Sequence, residues 1–181
     1  MKNPNIANIE RIKTVAEKIK PLIDKVAFLG GATTGLLITD PAAAEIRPTL
    51  DVDIIIEIIS RGEYYKLEET LRSLGFDQSM KKDDPICRWL INDIIIDIMP
   101  TNEKILGFSN QWYSEALKNS VYMEIEKNIS VRIVTAPYFM ATKIEAFYGR
   151  GNNDFFLSHD MEDMISVIDS RKELLEEIVN S

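Results

Sequence analysis

Two apolar runs, each interrupted in its own way, limit how this chain can fold. The first, Val26-Ala27-Phe28-Leu29, stops at Gly30-Gly31 and gives way to Ala32-Thr33-Thr34-Gly35-Leu36-Leu37-Ile38. The second begins Thr49-Leu50-Asp51-Val52-Asp53 and continues as Ile54-Ile55-Ile56-Glu57-Ile58. The order reads as strand, glycine turn, short helix, strand. Side chains alternate along a strand, so Asp51 and Asp53 share one face, roughly 6 to 7 Å apart, while Leu50, Val52 and Ile54 take the other. Two like charges so close call for a cation. The apolar flanks mark a buried strand, where unpaired carboxylates are costly, and this sets a functional pair above a solubility device.

A glycine pair after a strand leaves backbone N–H groups open to an anion, and the helix that follows adds donors and a positive dipole end. Phosphate on one side and paired carboxylates on the other suggest a nucleotide–Mg²⁺ site, since Mg²⁺ is held by one or two carboxylates with substrate phosphates in other positions. A Rossmann turn with Asp51 or Asp53 on the ribose is the competing reading, and it would make the chain an oxidoreductase. The spacing Gly-x-Gly-x-x-Gly that it needs is absent.

With 181 residues, 45% of them apolar, the chain can bury one real core. Its net charge of −8, from 29 acidic and 21 basic residues, gives no overall pull toward nucleic acid or an anionic membrane. An RNA partner would have to use scattered Lys81-Lys82, Arg88, Lys104 and Arg132. Cys87 is the one cysteine, so no intrachain disulfide forms; between Ile86 and Arg88 in an apolar strand it reads as a buried thiol. Met1-Lys2-Asn3-Pro4-Asn5 leads into an amphipathic pattern, and no run nears the ~18 apolar residues of a membrane span. The expectation is a soluble cytoplasmic protein.

Along the chain, Ile6, Ile9, Ile12, Val15, Ala16 and Ile19 predict an amphipathic helix closed by Pro21. Ser60 and Glu63 form a capping box for a helix presenting Tyr64, Leu67, Leu71 and Leu74 and ended by Gly75. Ile86–Ile91 and Ile94–Met99 predict a hairpin turning at Asn92-Asp93, and Val121–Ile125 with Ile129–Val134 a second at Lys127-Asn128. Between them Ser109–Ser120 looks helical. Thr135 caps a helix with Pro137 in its first turn and with Lys143, Phe147 and Arg150 spaced i, i+4 and i+7. A Gly151-Asn152-Asn153 loop, a helix from Ser158 to Asp169 and a last helix capped by Ser170 with Glu173 complete the chain. Tyr138, Phe139, Phe147, Tyr148, Phe155 and Phe156 read as packing for this helical part. The fold class expected is α/β, a mixed sheet over residues 1–134 with a helical C-terminal part over 135–181 that closes the nucleotide site.

If the Asn92-Asp93 hairpin docks beside the second strand, Asp97 joins Asp51 and Asp53, and three carboxylates on one cleft can hold two divalent ions. Gly30-Gly31, Asp51-x-Asp53 and a later strand Asp97 resemble the polymerase-β-like nucleotidyltransferase superfamily. Arg47-Pro48-Thr49-Leu50-Asp51-Val52-Asp53, Lys143-Ile144-Glu145-Ala146, Arg150 and His159-Asp160-Met161-Glu162-Asp163 are similar to the motifs of its AbiEii/MenT-like branch, which contains toxin-type enzymes. The resemblance spans about Val26 to Asp169. It implies Mg²⁺ (or Mn²⁺) on Asp51, Asp53 and Asp97, with Asp97 holding a second ion or acting as base. It also implies triphosphate contacts from Gly30, Gly31, Thr33, Lys143 and Arg150, and an orienting role for Asp160. His159 stands where the branch usually has Lys, and Gly31 where the superfamily often has Ser. The activity implied moves an NMP from an NTP to an acceptor hydroxyl; the toxin-type branch implies a tRNA 3′ end, and a protein hydroxyl or a small molecule such as an aminoglycoside stays open as acceptor. A cognate antitoxin is the implied partner. A nucleotide-binding regulator or antitoxin partner without turnover is the non-catalytic alternative.

Overall fold

The computed structural model describes residues 4–150 and 154–181, with the side chains of Pro4 and Arg150 excepted. The Gly151-Asn152-Asn153 loop, the start Met1-Lys2-Asn3 and the side chain of Arg150 lie outside the described residues. Helix α1 (Pro4–Lys18) turns Ile12 and Val15 fully inward, Ile19 just after it is buried as well, and a 3₁₀ turn (Lys20–Lys25) with Pro21 at its start delivers the chain to β1 (Val26–Leu29). After Gly30 come a 3₁₀ turn (Gly31–Thr33) and the short α2 (Thr34–Leu37), then a long loop to β2 (Asp51–Ile56). Helix α3 (Arg61–Ser73) starts as the sequence predicts: Ser60 Oγ accepts from the Glu63 N–H, while Glu63 reaches back to the N–H of Ile59, one residue before the cap.

Strand β3 (Asp77–Gln78), β4 (Arg88–Ile91) and β5 (Ile94–Pro100) follow, then α4 (Glu103–Leu106), α5 (Tyr113–Lys118) and the hairpin β6 (Val121–Glu126) and β7 (Ile129–Ile133). Asn92 and Asn128 take positive φ at the two hairpin turns, where a short polar side chain tolerates the left-handed region. Helices α6 (Ala136–Arg150), α7 (His159–Ser170) and α8 (Leu174–Val179) complete the described chain. The seven strands form one mixed sheet in the order β3-β4-β5-β2-β1-β7-β6. Strand β2 is antiparallel to β1 and parallel to β5, and β7 runs parallel to β1.

Strand β1 is buried along its whole length, which is why it reads as an unbroken apolar run. One apolar core joins the sheet (Phe28, Ile54, Ile96, Ile133) to α1, α3 and the C-terminal helices through Phe139, Met164 and Val167. No helix among the described residues is long and apolar enough to cross a membrane.

Several expectations are corrected. Leu50 precedes β2 and is exposed, because the strand begins at Asp51. Ser170 closes α7 and does not cap α8: its carbonyl accepts from the N–H groups of Thr39 and Asp40, tying α7 to the loop before β2, and Glu173 takes the cap position of α8 without a side-chain bond. Short β3 and α4 carry too few residues to show a period. Phe139 and Phe147 pack inside, but Tyr148, Phe155 and Phe156 are exposed.

Asn8 of α1 is the polar residue on the buried stripe, four before Ile12 and fully buried. Its Oδ1 accepts from the Thr49 N–H at 3.0 Å and its Nδ2 donates to the Arg47 carbonyl at 3.2 Å, so it pins the segment entering β2. Asn8→Ala leaves a buried N–H and a carbonyl without partners and is expected to lower stability by about 2 kcal/mol, read from the urea midpoint.

Candidate active site

Parallel pairing of β2 with β5 sets Asp53 opposite Asp97, with Asp51 two residues back on the same face. Antiparallel pairing of β4 with β5 sets Arg88 opposite Asp97. Residues opposite one another project to the same face, so Asp53, Asp97 and Arg88 form a row across three strands. The Arg88 guanidinium grips Asp97 with both prongs: Nε donates to Oδ1 at 2.9 Å and Nη2 to Oδ2 at 2.7 Å, while Nη1 reaches Asp84 at 3.3 Å. The hydrogen bonds to Asp97 hold the guanidinium well above its ordinary pKa, against the desolvation of its half-buried site. Cys87, next in the chain, points into the core, where burial, with the nearby Asp97 charge, pushes its thiol up to about 12.

The glycine turn is shaped around the acids. Gly30 has φ +74° and ψ −168°, a conformation open to glycine, and a Cβ there would stand 1.9 Å from Asp53 Oδ2. A Cβ on Gly31 would meet Arg47 Nη2 at 2.6 Å and Thr49 Cγ2 at 2.8 Å. The turn is thus a mould for the carboxylate and for the loop that precedes β2. Thr33 is fully buried and donates its hydroxyl to the Gly30 carbonyl at 2.9 Å, so this side chain holds the turn together and faces away from the cleft.

A buried ionic network supports the far wall. Asp163, 2% exposed, accepts two bonds from Arg47 (Nε 3.0 Å, Nη2 2.9 Å) and one from Lys143 Nζ at 2.6 Å; Lys143 also donates to Asp160 at 3.0 Å. Burial is the largest single influence on Arg47 and works against its charge, but the hydrogen bonds to Asp163 together with the charges of Asp163, Glu162 and Asp51 outweigh it and raise the guanidinium pKa. Ser158 caps α7 by accepting from the Met161 N–H, which fixes where Asp160 and Asp163 emerge. His159, which the sequence singles out as the one histidine, is exposed and rests its Nδ1 3.2 Å from Glu162.

A cleft of about 560 Å³ brings together Gly31, Asp51, Asp53, Asp97, Lys143 and Asp160 of the sequence-derived site. Gly30 lies behind Asp53, Thr33 is turned inward, and the side chain of Arg150 is outside the described residues. Arg88, Arg47 and Asp163 complete the site. Arg88 counted in the sequence only as a scattered base, because what marks it is the strand register; Arg47 and Asp163 stand in the motifs but carry no role there. Among the described residues no three acids, histidines or cysteines stand together as a ready metal-ligand set. Asp51 and Asp53 nonetheless offer hard oxygen donors beside an N–H-lined turn, a set that suits Mg²⁺ or Mn²⁺ with phosphate oxygens filling the remaining positions.

No family model and no curated protein matches the chain. Among solved structures it is similar to an antigenic nucleotidyltransferase-like protein from Paracoccidioides brasiliensis, with 19% identity and a TM-score of 0.59 over 96% of this chain and 86% of that one. It is similar also to the antibiotic-resistance factor ANT(2'')-Ia, with 14% identity and a TM-score of 0.54 over 98% of this chain and 90% of the other. The fold is a mixed α/β nucleotidyltransferase-like fold.

Two outcomes are expected of this geometry. Gly30→Ala strains the turn and drives Asp53 from its place, lowering stability by about 2 kcal/mol or more in thermal unfolding. Cys87 stays unlabelled by iodoacetamide at pH 8 in the folded protein and reacts once urea unfolds it, because its thiol is both buried and protonated.

Proposed function

We propose that the protein is a divalent-metal-dependent nucleotidyltransferase that moves an NMP from an NTP to an acceptor hydroxyl, with pyrophosphate leaving. The observation that supports this reading most is the parallel register that gathers Asp51, Asp53 and Asp97 on one face of a cleft whose other wall carries Lys143 and Arg47. Asp51 and Asp53 would hold Mg²⁺ or Mn²⁺, which supplies charge neutralisation at the phosphates and lowers the pKa of an attacking hydroxyl. Gly31 lines the cleft at the turn after β1, and its backbone N–H would be the donor nearest a phosphate there. Asp97 would be the third carboxylate, accepting the acceptor's proton or joining the metal site once Arg88 releases it.

Two of the three N–H donors of Lys143 go to Asp160 and Asp163, and the third serves a phosphate oxygen. Asp160 and Asp163 therefore position the ammonium, and Lys143 meets the triphosphate as a held charge. Catalysis on this reading is positioning and charge neutralisation by a preorganised site. Three acceptor classes fit it: a tRNA 3′ end, as the toxin-type resemblance implies, a protein hydroxyl, and a small molecule such as an aminoglycoside. A cognate antitoxin would accompany the first.

The test incubates purified protein with Mg²⁺ and each α-³²P-labelled NTP, separately with bulk tRNA, with protein alone and with an aminoglycoside panel. Label on one acceptor that falls by roughly three orders of magnitude in Asp51→Asn/Asp53→Asn is the expected result. No label and no Mg²⁺-dependent NTP binding would overturn it.

A further inference from the structure

Asp97 has both carboxylate oxygens engaged by a single guanidinium, and the two side chains retain only 12% and 21% of their exposure. The pairing is not incidental to rotamer choice, because β4 and β5 place the two residues opposite one another in the ladder. Arg88 has a second partner, Asp84, which is itself held by the Ser79 hydroxyl at 2.5 Å. The guanidinium can thus keep one anchor while exchanging the other. Its planar fork matches phosphate as well as it matches carboxylate, so a polyphosphate entering the cleft competes with Asp97 for the same donors.

We propose that Arg88 is the displaceable counter-ion of Asp97, limiting the nucleotide-free cleft to one divalent ion and admitting a second at Asp97 only when it moves onto the phosphates of the nucleotide. The inference rests on the nucleotidyltransferase reading. In the resting cleft, the first ion uses Asp51 and Asp53. A second ion at Asp97 would have to displace a bidentate cation from oxygens it needs and then sit beside that cation's charge. Nucleotide removes both obstacles in one step by giving the guanidinium another anion. Coupling of this kind is reciprocal: nucleotide tightens the second ion, and the second ion tightens nucleotide by the same factor. Arg88 is a positioning residue on this account, since it acts through Asp97.

The experiment counts Mn²⁺ bound to the intact chain by the paramagnetic resonance of the free ion, without nucleotide and then with a non-hydrolysable NTP analogue. Without nucleotide, wild type is expected to bind one Mn²⁺ and Arg88→Gln two, the second gained at roughly tenfold or greater affinity over wild type. The double variant Arg88→Gln/Asp97→Asn returns to one, which separates release of Asp97 from a general gain in negative charge. The analogue takes wild type from one ion to two. Thermal melts establish that each variant is folded. If Arg88→Gln does not fold, Arg88→Lys carries the test: it keeps the charge without the fork, and a second ion measurable without nucleotide is expected.

Two Mn²⁺ on nucleotide-free wild type, or a single Mn²⁺ on the folded Arg88 variant, overturns the proposal while leaving nucleotidyl transfer intact. Absence of Mn²⁺ binding from wild type with and without the analogue removes the nucleotidyltransferase reading together with it.

Discussion

Asp163 keeps 2% of its surface in contact with water, and much of the cleft follows from what holds a carboxylate there. Desolvating such a group costs several kcal/mol unless donors replace the lost water, and removing one partner of a buried ion pair costs about 3 to 5 kcal/mol through the charge left behind. The replacement donors come from two separate parts of the chain, Arg47 before β2 and Lys143 on α6, and both reach Asp163 on α7. Its Oδ2 also lies 3.1 Å from where a Gly31 Cβ would stand, so the network closes directly onto the glycine turn. The C-terminal helices are thereby fastened to the strand that bears the acids. Asn8 performs the same task from the other end of the chain with neutral hydrogen bonds.

The sheet poses the opposite electrostatic problem. Neighbouring strands lie roughly 4.8 Å apart, so Asp53 and Asp97 face each other across one strand spacing, and like charges in that relation are destabilising. Arg88 is the next residue in the same row and offsets the repulsion from the far side. The apolar half of β2, Ile54 to Ile56, is buried on both faces and anchors the strand, while its other half alternates: a slip of one residue would turn Asp51 and Asp53 onto the face where Val52 is now fully buried. The acids at one end of the strand are thus held in place by packing at the other.

The sequence made the local elements readable where chemistry is local. The unbroken run of β1, the Ser60 cap, the asparagine turns and the Val26–Asp53 unit depend on neighbours a few residues apart, and they stand where periodicity puts them. What could not be read from it are the pairings across distance. Arg88 lies nine residues before Asp97 in the chain, and only the strand register makes it a partner. Thr33 sits in a turn whose sequence invites phosphate contact, but its hydroxyl finds the Gly30 carbonyl three residues back. Asn8 did leave a trace, as a polar residue on the buried stripe of an amphipathic helix, where an unpaired amide would be costly. Ser170 shows the converse: a residue with the right type for a cap is drawn instead into the end of the preceding helix by tertiary bonds to Thr39 and Asp40.

The composition of the cleft restricts what can occupy it. Asp51, Asp53, Asp97, Asp154 and Asp160 line it against three fixed cations, Arg47, Arg88 and Lys143, and Leu157 is the apolar side chain among the lining residues. An apolar ligand would strip water from charged groups and return nothing to them. An anion alone would meet five lining acids against three cations, and a second cation would meet the guanidinium that already holds Asp97. A ligand carrying both signs at close spacing would satisfy both walls at once, and a polyphosphate with its divalent ion is such a ligand: on the proposed reading phosphate oxygens would answer Lys143 and Arg88, and the ion would answer Asp51 and Asp53. The mixed lining is therefore informative where the net charge of the chain is not, because recognition acts through charges a few ångströms apart in a low-dielectric cleft, while the overall charge is screened within about 8 Å at physiological salt.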